Sequence, residues 1–182
     1  MKSVLVLLAP GFEEVEAVTP VDILRRAGAD VVTAGTVDGI IVGRNGIKVL
    51  ADKSIDDVVD DEFDMLLLPG GMEGTNNLKA DDRVSRIIEH HDEQGRYIAA
   101  ICAAPTVLLS TGIPGRHRLT SHPSVKSEFK QENYSDERLV LDGNLITSRA
   151  VGTAMEFAFK LVELLYGKEK VEEVNAGVMA RL

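Results

Sequence analysis

The sequence predicts an α/β protein, a three-layer α/β/α sandwich built on a mostly parallel sheet. Two observations carry this prediction. Short continuous runs of Val, Ile, Leu and Ala recur along the chain, as is typical of parallel strands covered on both faces. These runs alternate with amphipathic stretches of helical period, and such alternation favours a parallel sheet with helices on both sides.

The first half of the chain shows this alternation clearly. The run at 3–9 predicts a central strand. The stretch at 13–28 predicts a helix, because acidic residues open it while basic residues and a glycine close it. A second strand is predicted at 29–35. Two short runs within 39–52, on either side of an Arg-Asn pair, predict a hairpin or an edge pair of strands.

The middle of the chain continues the pattern. The run at 64–71 predicts a strand that ends in a glycine turn, and 81–94 has the period of an amphipathic helix. A further buried strand is predicted at 97–102, and a helix over roughly 104–111 follows it almost directly.

The last third of the chain predicts a hairpin and two helices. The hairpin covers 139–148 with an Asp-Gly turn, and a long amphipathic helix covers 150–167. A short last helix follows within 168–182. Because no segment has the composition of a linker, we expect a single domain over 1–182.

Composition argues against several classes of protein. The formal net charge of -9 disfavours a nucleic-acid partner, because binding to the phosphate backbone rests on clustered Lys and Arg. A single cysteine excludes an internal disulfide framework and a CxxC metal site, and it suits a reducing cytosol. The apolar run near the N-terminus is too short for a signal-peptide core or a membrane span. We therefore expect a cytoplasmic protein with no metal and no membrane partner.

Three loops should meet at one edge of the predicted sheet, because ligands bind beyond the carboxyl ends of parallel strands. They are APGFEEVE after the first strand, LPGGMEG after the strand at 64–71 and AAICAAP after the strand at 97–102. A cysteine on a strand-to-helix turn resembles a nucleophile elbow, in which the positive end of the following helix should lower the pKa of the Cys102 thiol. The alternative is that Cys102 is inert core packing, since free cysteine is among the most buried residue types.

Other polar residues near this edge have a structural interpretation. Glu13 and Glu14 are interpreted as compensation for the helix dipole, which leaves Glu16 as the catalytic candidate. The adjacent His90 and His91 are interpreted as part of a solvated helix face. Zinc-binding helices place their histidines at i, i+4 instead.

Several motifs occur in an order and spacing that resemble one family along essentially the whole chain. They are APGFEEVEAVTPVDILRRAGADV, LLLPGG, AAICAAPTVLL, LTSHPSVK and LITSRAVGTAMEFAFKLVELLYGKE. On these motifs the protein is identified as a member of the ThiJ/PfpI superfamily, in its DJ-1-like branch. The resemblance implies a flavodoxin-like fold, similar to that of class I glutamine amidotransferases, with a nucleophile elbow.

The resemblance implies four catalytic residues. Cys102 matches the reactive, oxidisable cysteine of the family, and Glu16 matches the carboxylic acid that hydrogen-bonds its sulfur. His122, within SHP, matches a nearby histidine. Asp22 matches an acid that the second subunit of a homodimer supplies in support of this histidine. Because a thiolate and a carboxylate repel each other, we expect Cys102 and Glu16 to share one proton.

The resemblance also implies the groups that bind the substrate. The backbone N–H groups of Gly70, Gly71 and Ala103 match those that line the anion pocket of the family, while Arg26 and Arg44 match a pair of cations near it. Ala103 stands where peptidase-like members carry histidine, which argues against a cysteine peptidase or amidase. The next residue is alanine, where close relatives usually carry glycine.

The activity that the resemblance implies is that of a cofactor-free glyoxalase. A thiolate adds to aldehydes, and acid-base residues beside it can convert methylglyoxal to lactate through a thioester. The same steps on adducts of methylglyoxal or glyoxal with side chains or guanine nucleotides would define a deglycase. The expected partners are small reactive aldehydes or glycated protein side chains, together with a second copy of the chain.

A non-enzymatic alternative is that Cys102 senses peroxide. Oxidation of a thiolate to a sulfinate would then create a function, as in a redox-regulated chaperone. An enzyme nucleophile would instead lose its function on oxidation. The sequence leaves both hypotheses open.

Overall fold

The computed structural model describes residues 1–181, and its central feature is a mostly parallel sheet. The strands are β1 (Ser3–Leu8), β2 (Asp30–Gly35), β3 (Ile40–Val42), β4 (Lys48–Leu50), β5 (Lys53–Ser54), β6 (Met65–Leu68), β7 (Tyr97–Ile101), β8 (Leu139–Asp142) and β9 (Leu145–Ser148). The main sheet has the order β5-β2-β1-β6-β7-β9-β8, and its edge strand β8 runs antiparallel to β9. β3 and β4 form the predicted hairpin as a separate antiparallel pair.

Helices cover both faces of this sheet. They are α1 (Glu14–Arg26), α2 (Met72–Lys79), α3 (Asp82–Glu93), α4 (Ala154–Tyr166) and α5 (Lys168–Val178). α1 and α4 pack on one face, while α3 and a 3-10 helix at Ala104–Thr111 pack on the other. Within residues 1–181, no helix is both long enough and apolar enough to cross a membrane.

The side chains of β1 explain why its sequence is a continuous apolar run. Val4 and Val6 join the core beneath α1 and α4, whereas Leu5 and Leu7 join the core beneath α3. All four are fully buried. Because successive side chains of a strand point to opposite faces, a strand covered on both sides needs apolar residues at every position. The predicted three-layer α/β/α sandwich is confirmed.

The helix α2 begins directly after the predicted glycine turn, in a stretch for which the sequence predicted no helix. The middle of its sequence MEGTNNLK consists of weak helix formers, so packing must add to its intrinsic propensity. Gly74 of α2 packs so closely on the first loop that a Cβ would lie 2.7 Å from the Cα of Phe12. This close contact brings the start of α2 against the start of α1.

The strand order reverses at β1, which pairs with β2 on one side and with β6 on the other. In open α/β sheets, ligands bind at such a reversal, beyond the carboxyl ends of the strands. The loops after β1, β6 and β7 meet there because the three strands are neighbours in the sheet. The fold therefore brings Glu16, Gly70 and Cys102 to one place.

Candidate active site around Cys102

The backbone of Cys102 makes a sharp turn between β7 and the 3-10 helix that follows. Its φ is +66°, in the left-handed region that residues other than glycine rarely adopt. Two hydrogen bonds hold this conformation: the Cys102 N–H donates to the carbonyl of Ser148 over 3.0 Å, and the Cys102 carbonyl accepts from the His122 N–H over 2.7 Å. The turn leaves the thiol partly exposed above the edge of the sheet. This is the geometry of a nucleophile elbow.

Glu16 lies beneath the elbow and is fully buried. Its Oε2 accepts a hydrogen bond from the N–H of Gly70 over 3.0 Å. Its carboxyl is also a hydrogen-bond partner of the Cys102 thiol. Within the described chain, the buried Oε1 has no hydrogen-bond partner. The carboxyl is therefore placed to exchange a proton with the sulfur.

The environment of Glu16 favours its protonated form. Burial raises the pKa of Glu16 to about 7, although its hydrogen bond with Cys102 acts in the opposite direction. The charge of Glu13 raises this pKa further, while the Gly70 N–H and the charge of Arg44 lower it. Glu16 consequently changes its protonation state near neutral pH.

The thiol of Cys102 does not have the low pKa that the sequence led us to expect. Burial raises the pKa of Cys102 to about 12, and the charge and hydrogen bond of Glu16 act in the same direction. The N–H groups of Gly71 and Ala103 hydrogen-bond to the sulfur and oppose this rise. The expectation is wrong because burial and the neighbouring carboxylate outweigh these two donors. A thiolate forms when the proton moves from sulfur to Glu16.

The backbone N–H groups of the two glycines after β6 have different hydrogen-bond partners. The N–H of Gly71 points to the sulfur, whereas the N–H of Gly70 is occupied by Glu16. Gly71 has a φ of +88°, and a Cβ there would overlap the carbonyl oxygen of Gly11. Of the three backbone donors expected in the anion pocket, Gly71 and Ala103 therefore face the sulfur, and Gly70 supports the carboxyl.

His122 is tied to the elbow through its backbone. Its N–H binds the carbonyl of Cys102, and the half-buried imidazole begins the 3-10 helix at Pro123–Glu128. The ring atom Nδ1 accepts from the N–H of Ser124 over 3.2 Å and lies 2.8 Å from the Ser124 hydroxyl. Nε2 is thus the ring nitrogen that this local pairing leaves for a ligand.

Asp22, Arg26 and Arg44 lie on the outside of the chain. Asp22 and Arg26 are exposed on α1 and form an ion pair of 2.7 Å with each other, not with the groups around Cys102. Arg44 is exposed on the β3–β4 turn, yet it is close enough for its charge to act on Glu16. In a single chain, Asp22 and Arg26 are therefore paired with each other outside the site, whereas the charge of Arg44 acts on Glu16.

Sequence reasoning missed the role of Glu14. This residue is only 4% exposed, and its carboxylate accepts hydrogen bonds from the turn between β3 and β4 instead of serving only the helix dipole. No periodicity marks it, because its partners lie about thirty residues further along the chain. The contact became visible only in the folded structure.

The interpretation of His90 and His91 as a solvated pair is wrong for His91. Its side chain is 1% exposed, and Nδ1 lies 2.8 Å from the carbonyl oxygen of Ile87. The signal was present in the sequence: His91 continues the apolar face of α3 at helical spacing after Ile87 and Ile88.

A parallel α/β sandwich with a cysteine on a strained elbow, next to a buried glutamate, defines the class of protein to which the fold and site point. The DJ-1/PfpI family matches residues 2–164, and the chain belongs to this family. The family assignment made from the motifs is confirmed.

Relatives support this assignment over whole chains. The protein is 47% identical over 182 residues to protein dj-1beta of Drosophila melanogaster, covering 98% of this chain and 97% of the relative. It is 36% identical over 176 residues to glutathione-independent glyoxalase DJR-1.2 of Caenorhabditis elegans, covering 95% of this chain and 94% of the relative. The solved structure of oxidized Toxoplasma gondii DJ-1 superposes with a TM-score of 0.97 at 35% identity, and the match covers 100% of both chains.

Proposed function

We propose that the protein is a cofactor-free glyoxalase that uses Cys102 as its nucleophile. The observation that carries this proposal is the thiol on a strained turn beside the Glu16 carboxyl, whose pKa is about 7. Such a carboxyl is an effective general base near neutral pH, because proton transfer works best when the pKa of the base lies near the pH of the reaction. The name of the C. elegans relative supports the same class of reaction.

The first step is addition to an aldehyde. Glu16 takes the thiol proton while the Cys102 sulfur bonds to the aldehyde carbon of methylglyoxal, which gives a hemithioacetal. The N–H groups of Gly71 and Ala103, which already face the sulfur, are the nearest backbone donors for the charge that develops on the aldehyde oxygen. This oxygen is then protonated.

The later steps need only proton transfers and water. The former aldehyde carbon, now bonded to sulfur, is the first carbon, and the neighbouring ketone carbon is the second. Loss of the proton on the first carbon and protonation of the second convert the hemithioacetal into a lactoyl thioester. The first carbon is oxidised and the second is reduced, so no external oxidant is needed. Water then cleaves the thioester, which releases lactate and restores the thiol. We assign the proton transfers to Glu16 and His122.

We further propose a cytoplasmic homodimer that limits carbonyl stress, acting on free aldehydes or on glycated side chains. Val15 and Val18 on α1 are 47% and 51% exposed, and Leu50 on the hairpin is 72% exposed. An isologous contact would remove these apolar side chains from water. In such a dimer, Asp22 of the partner subunit would support His122, as the resemblance implies.

Lactate production from methylglyoxal without glutathione tests this proposal. We expect Cys102→Ser to lose more than ~100-fold of the turnover, as is typical when a nucleophile is removed. Circular dichroism confirms that the variant is folded, and heat-denatured protein corrects for catalysis by exposed amines. Turnover that survives in folded Cys102→Ser would refute the nucleophile. Kinetics with and without an aldehyde scavenger then separate glyoxalase from deglycase activity.

Peroxide sensing is the second candidate, and one observation favours it. Cys102 is partly exposed and has two backbone donors on its sulfur. The same donors would bind the oxygens of a sulfinate. The solved Toxoplasma gondii structure is that of an oxidized DJ-1. Mass spectrometry after peroxide treatment would show a two-oxygen gain on Cys102. A sensor would gain holdase or binding activity in that form, whereas a glyoxalase would lose its turnover.

A further inference from the structure

The turn between β3 and β4 is held by a buried carboxylate at the start of α1. Glu14 Oε1 accepts from the N–H of Asn45 over 2.7 Å and from the N–H of Ile47 over 3.3 Å. Glu14 Oε2 accepts from the side-chain Nδ2 of Asn45 over 3.0 Å. Three donors thus converge on one carboxylate, far more than a helix-dipole role requires.

This close contact restricts which residue can occupy position 43. A Cβ at Gly43 would overlap Glu14 Oε1 and would lie 2.6 Å from its Cδ. The carboxylate therefore requires glycine at position 43. The backbone does not require it, because Gly43 does not have a positive φ. The turn and the Glu14 carboxylate are thus sterically complementary.

Arg44 is the residue that this turn carries towards the Cys102 site. Its N–H donates to the carbonyl of Phe12 over 2.8 Å, so the backbone at 44 is fixed against the loop after β1. Phe12 in turn lies against Gly71, where a Cβ would be 3.0 Å from the Phe12 carbonyl carbon, so the turn that carries Arg44 lies beside the loop that approaches Cys102. The charge of Arg44 also lowers the pKa of Glu16, although its side chain is exposed. A long exposed side chain exerts a steady field only if the backbone beneath it is held.

We propose that Glu14 is a positioning residue for the Cys102 site: by binding the turn at Asn45 and Ile47, it keeps Arg44 beside the pair of Glu16 and Cys102. Its buried negative charge is balanced by the three donors of the turn. The pair gains one negative charge when it loses its first proton, and a cation held nearby stabilises that charge on either atom. Glu14 thereby sets the pH at which the thiol becomes reactive, without contacting the substrate.

The consequence for turnover rests on the proposed function, but the test does not. Alkylation of Cys102 by iodoacetamide reports its reactivity directly, and its rate is measured against pH in wild type, Glu14→Ala, Arg44→Ala and the double variant. We expect the midpoint of the alkylation rate profile against pH to lie at higher pH in Glu14→Ala than in wild type. The midpoint of Arg44→Ala should shift at least as far. The double variant should shift no further than Arg44→Ala, because Glu14 acts through Arg44.

Two further variants keep the test decisive. Gly43→Ala leaves every charge in place but displaces the Glu14 carboxylate, and it should reproduce the upward shift. Lys48→Ala removes an exposed cation from the same hairpin and should leave the midpoint unchanged. Amide hydrogen exchange at Asn45 and Ile47 should accelerate in Glu14→Ala and Gly43→Ala.

Three outcomes would overturn the proposal. The first is an unchanged midpoint in folded Glu14→Ala or folded Gly43→Ala. The second is that Glu14→Ala shifts the midpoint equally far when Arg44 has already been replaced by alanine. The third is that Lys48→Ala shifts the midpoint as far as Glu14→Ala does. These outcomes are independent of lactate production. Failure of the glyoxalase proposal would therefore leave the alkylation result to be judged by itself.

Discussion

The N–H of Gly70 and the carboxyl of Glu16 are joined by a 3.0 Å hydrogen bond directly beneath Cys102. This bond links the loop after β6 to α1, and it requires the backbone at 70 to approach both partners closely. A Cβ at this position would lie 2.5 Å from Glu16 Oε2 and 2.6 Å from Cys102 Cβ. The absence of a side chain at 70 is therefore a condition for the contact between thiol and carboxyl.

We expect Gly70→Ala to separate Glu16 from Cys102. The methyl group must displace the carboxyl or the elbow, at a cost of about 1 to 3 kcal/mol in the free energy of unfolding, as is usual for overpacked sites. Urea unfolding measures the stability, and iodoacetamide alkylation measures the thiol. Gly115→Ala is the matched control, because its Cβ meets no atom within 4 Å. Equal effects of the two substitutions would contradict this account of Gly70.

The protonation of Glu16 should make stability depend on pH. Its pKa rises from 4.5 in the unfolded chain to about 7 in the fold, mainly through burial, so the folded state holds the proton more tightly. The associated stability is complete below 4.5 and is lost as the pH rises through 7. The shift corresponds to about 3 kcal/mol.

Glu16→Gln removes this dependence because glutamine does not ionise in this range. We expect its stability relative to wild type to increase by about 3 kcal/mol between pH 4.5 and pH 8, as measured by urea unfolding. Glu172→Gln, at an exposed position of α5, is the control for the loss of one carboxyl. A difference that stays constant with pH would show that Glu16 is ionised in the fold throughout.

The sequence predicted the strands better than the helices, and the reason is physical. The run that became β1 is apolar at every position because it is buried on both faces, and this signal is local. α2 has no such signal, since contacts with Phe12 stabilise it from a distant part of the chain. The sequence analysis therefore predicted the glycine turn before α2 but not the helix itself.

The site was predictable only in part for a similar reason. Cys102 and Glu16 could be found because the ends of neighbouring strands meet and because the motifs match a family. The raised pKa of the Cys102 thiol could not be found, because it depends on burial and on the distance to one carboxylate. The contact of Glu14 with Asn45 likewise depends on how a hairpin folds back onto a helix.

Glycine at the elbow should relieve backbone strain. Cys102 has a φ of +66°, which costs roughly 1 to 2 kcal/mol for a residue with a Cβ and almost nothing for glycine. We expect Cys102→Gly to be more stable than Cys102→Ala by about 1 kcal/mol in urea unfolding. Ala104→Gly, two residues further on where φ is not positive, should instead destabilise the protein. If alanine at 102 is as stable as glycine, the elbow carries no strain.

His91 should make the protein sensitive to acid. Burial lowers the pKa of His91 below its usual 6.5, and the charges of His90 and Arg96 add to this, although the hydrogen bond to Ile87 opposes it. With Nδ1 bonded to the carbonyl of Ile87, a second proton would sit on Nε2, which is buried and has no partner within the described chain. Protonation of His91 is thus unfavourable in the fold.

The stability that neutral His91 provides is fully present above pH 6.5 and is lost as the pH falls through its lowered folded value. We expect the advantage of wild type over His91→Gln to shrink below pH 6.5, by at most about 1.4 kcal/mol per pH unit. Comparison with His91→Gln at each pH cancels the opposite trend from Glu16. His90→Gln is the control on the neighbouring, less buried position. If the two variants show the same pH profile relative to wild type, burial of His91 is not the cause.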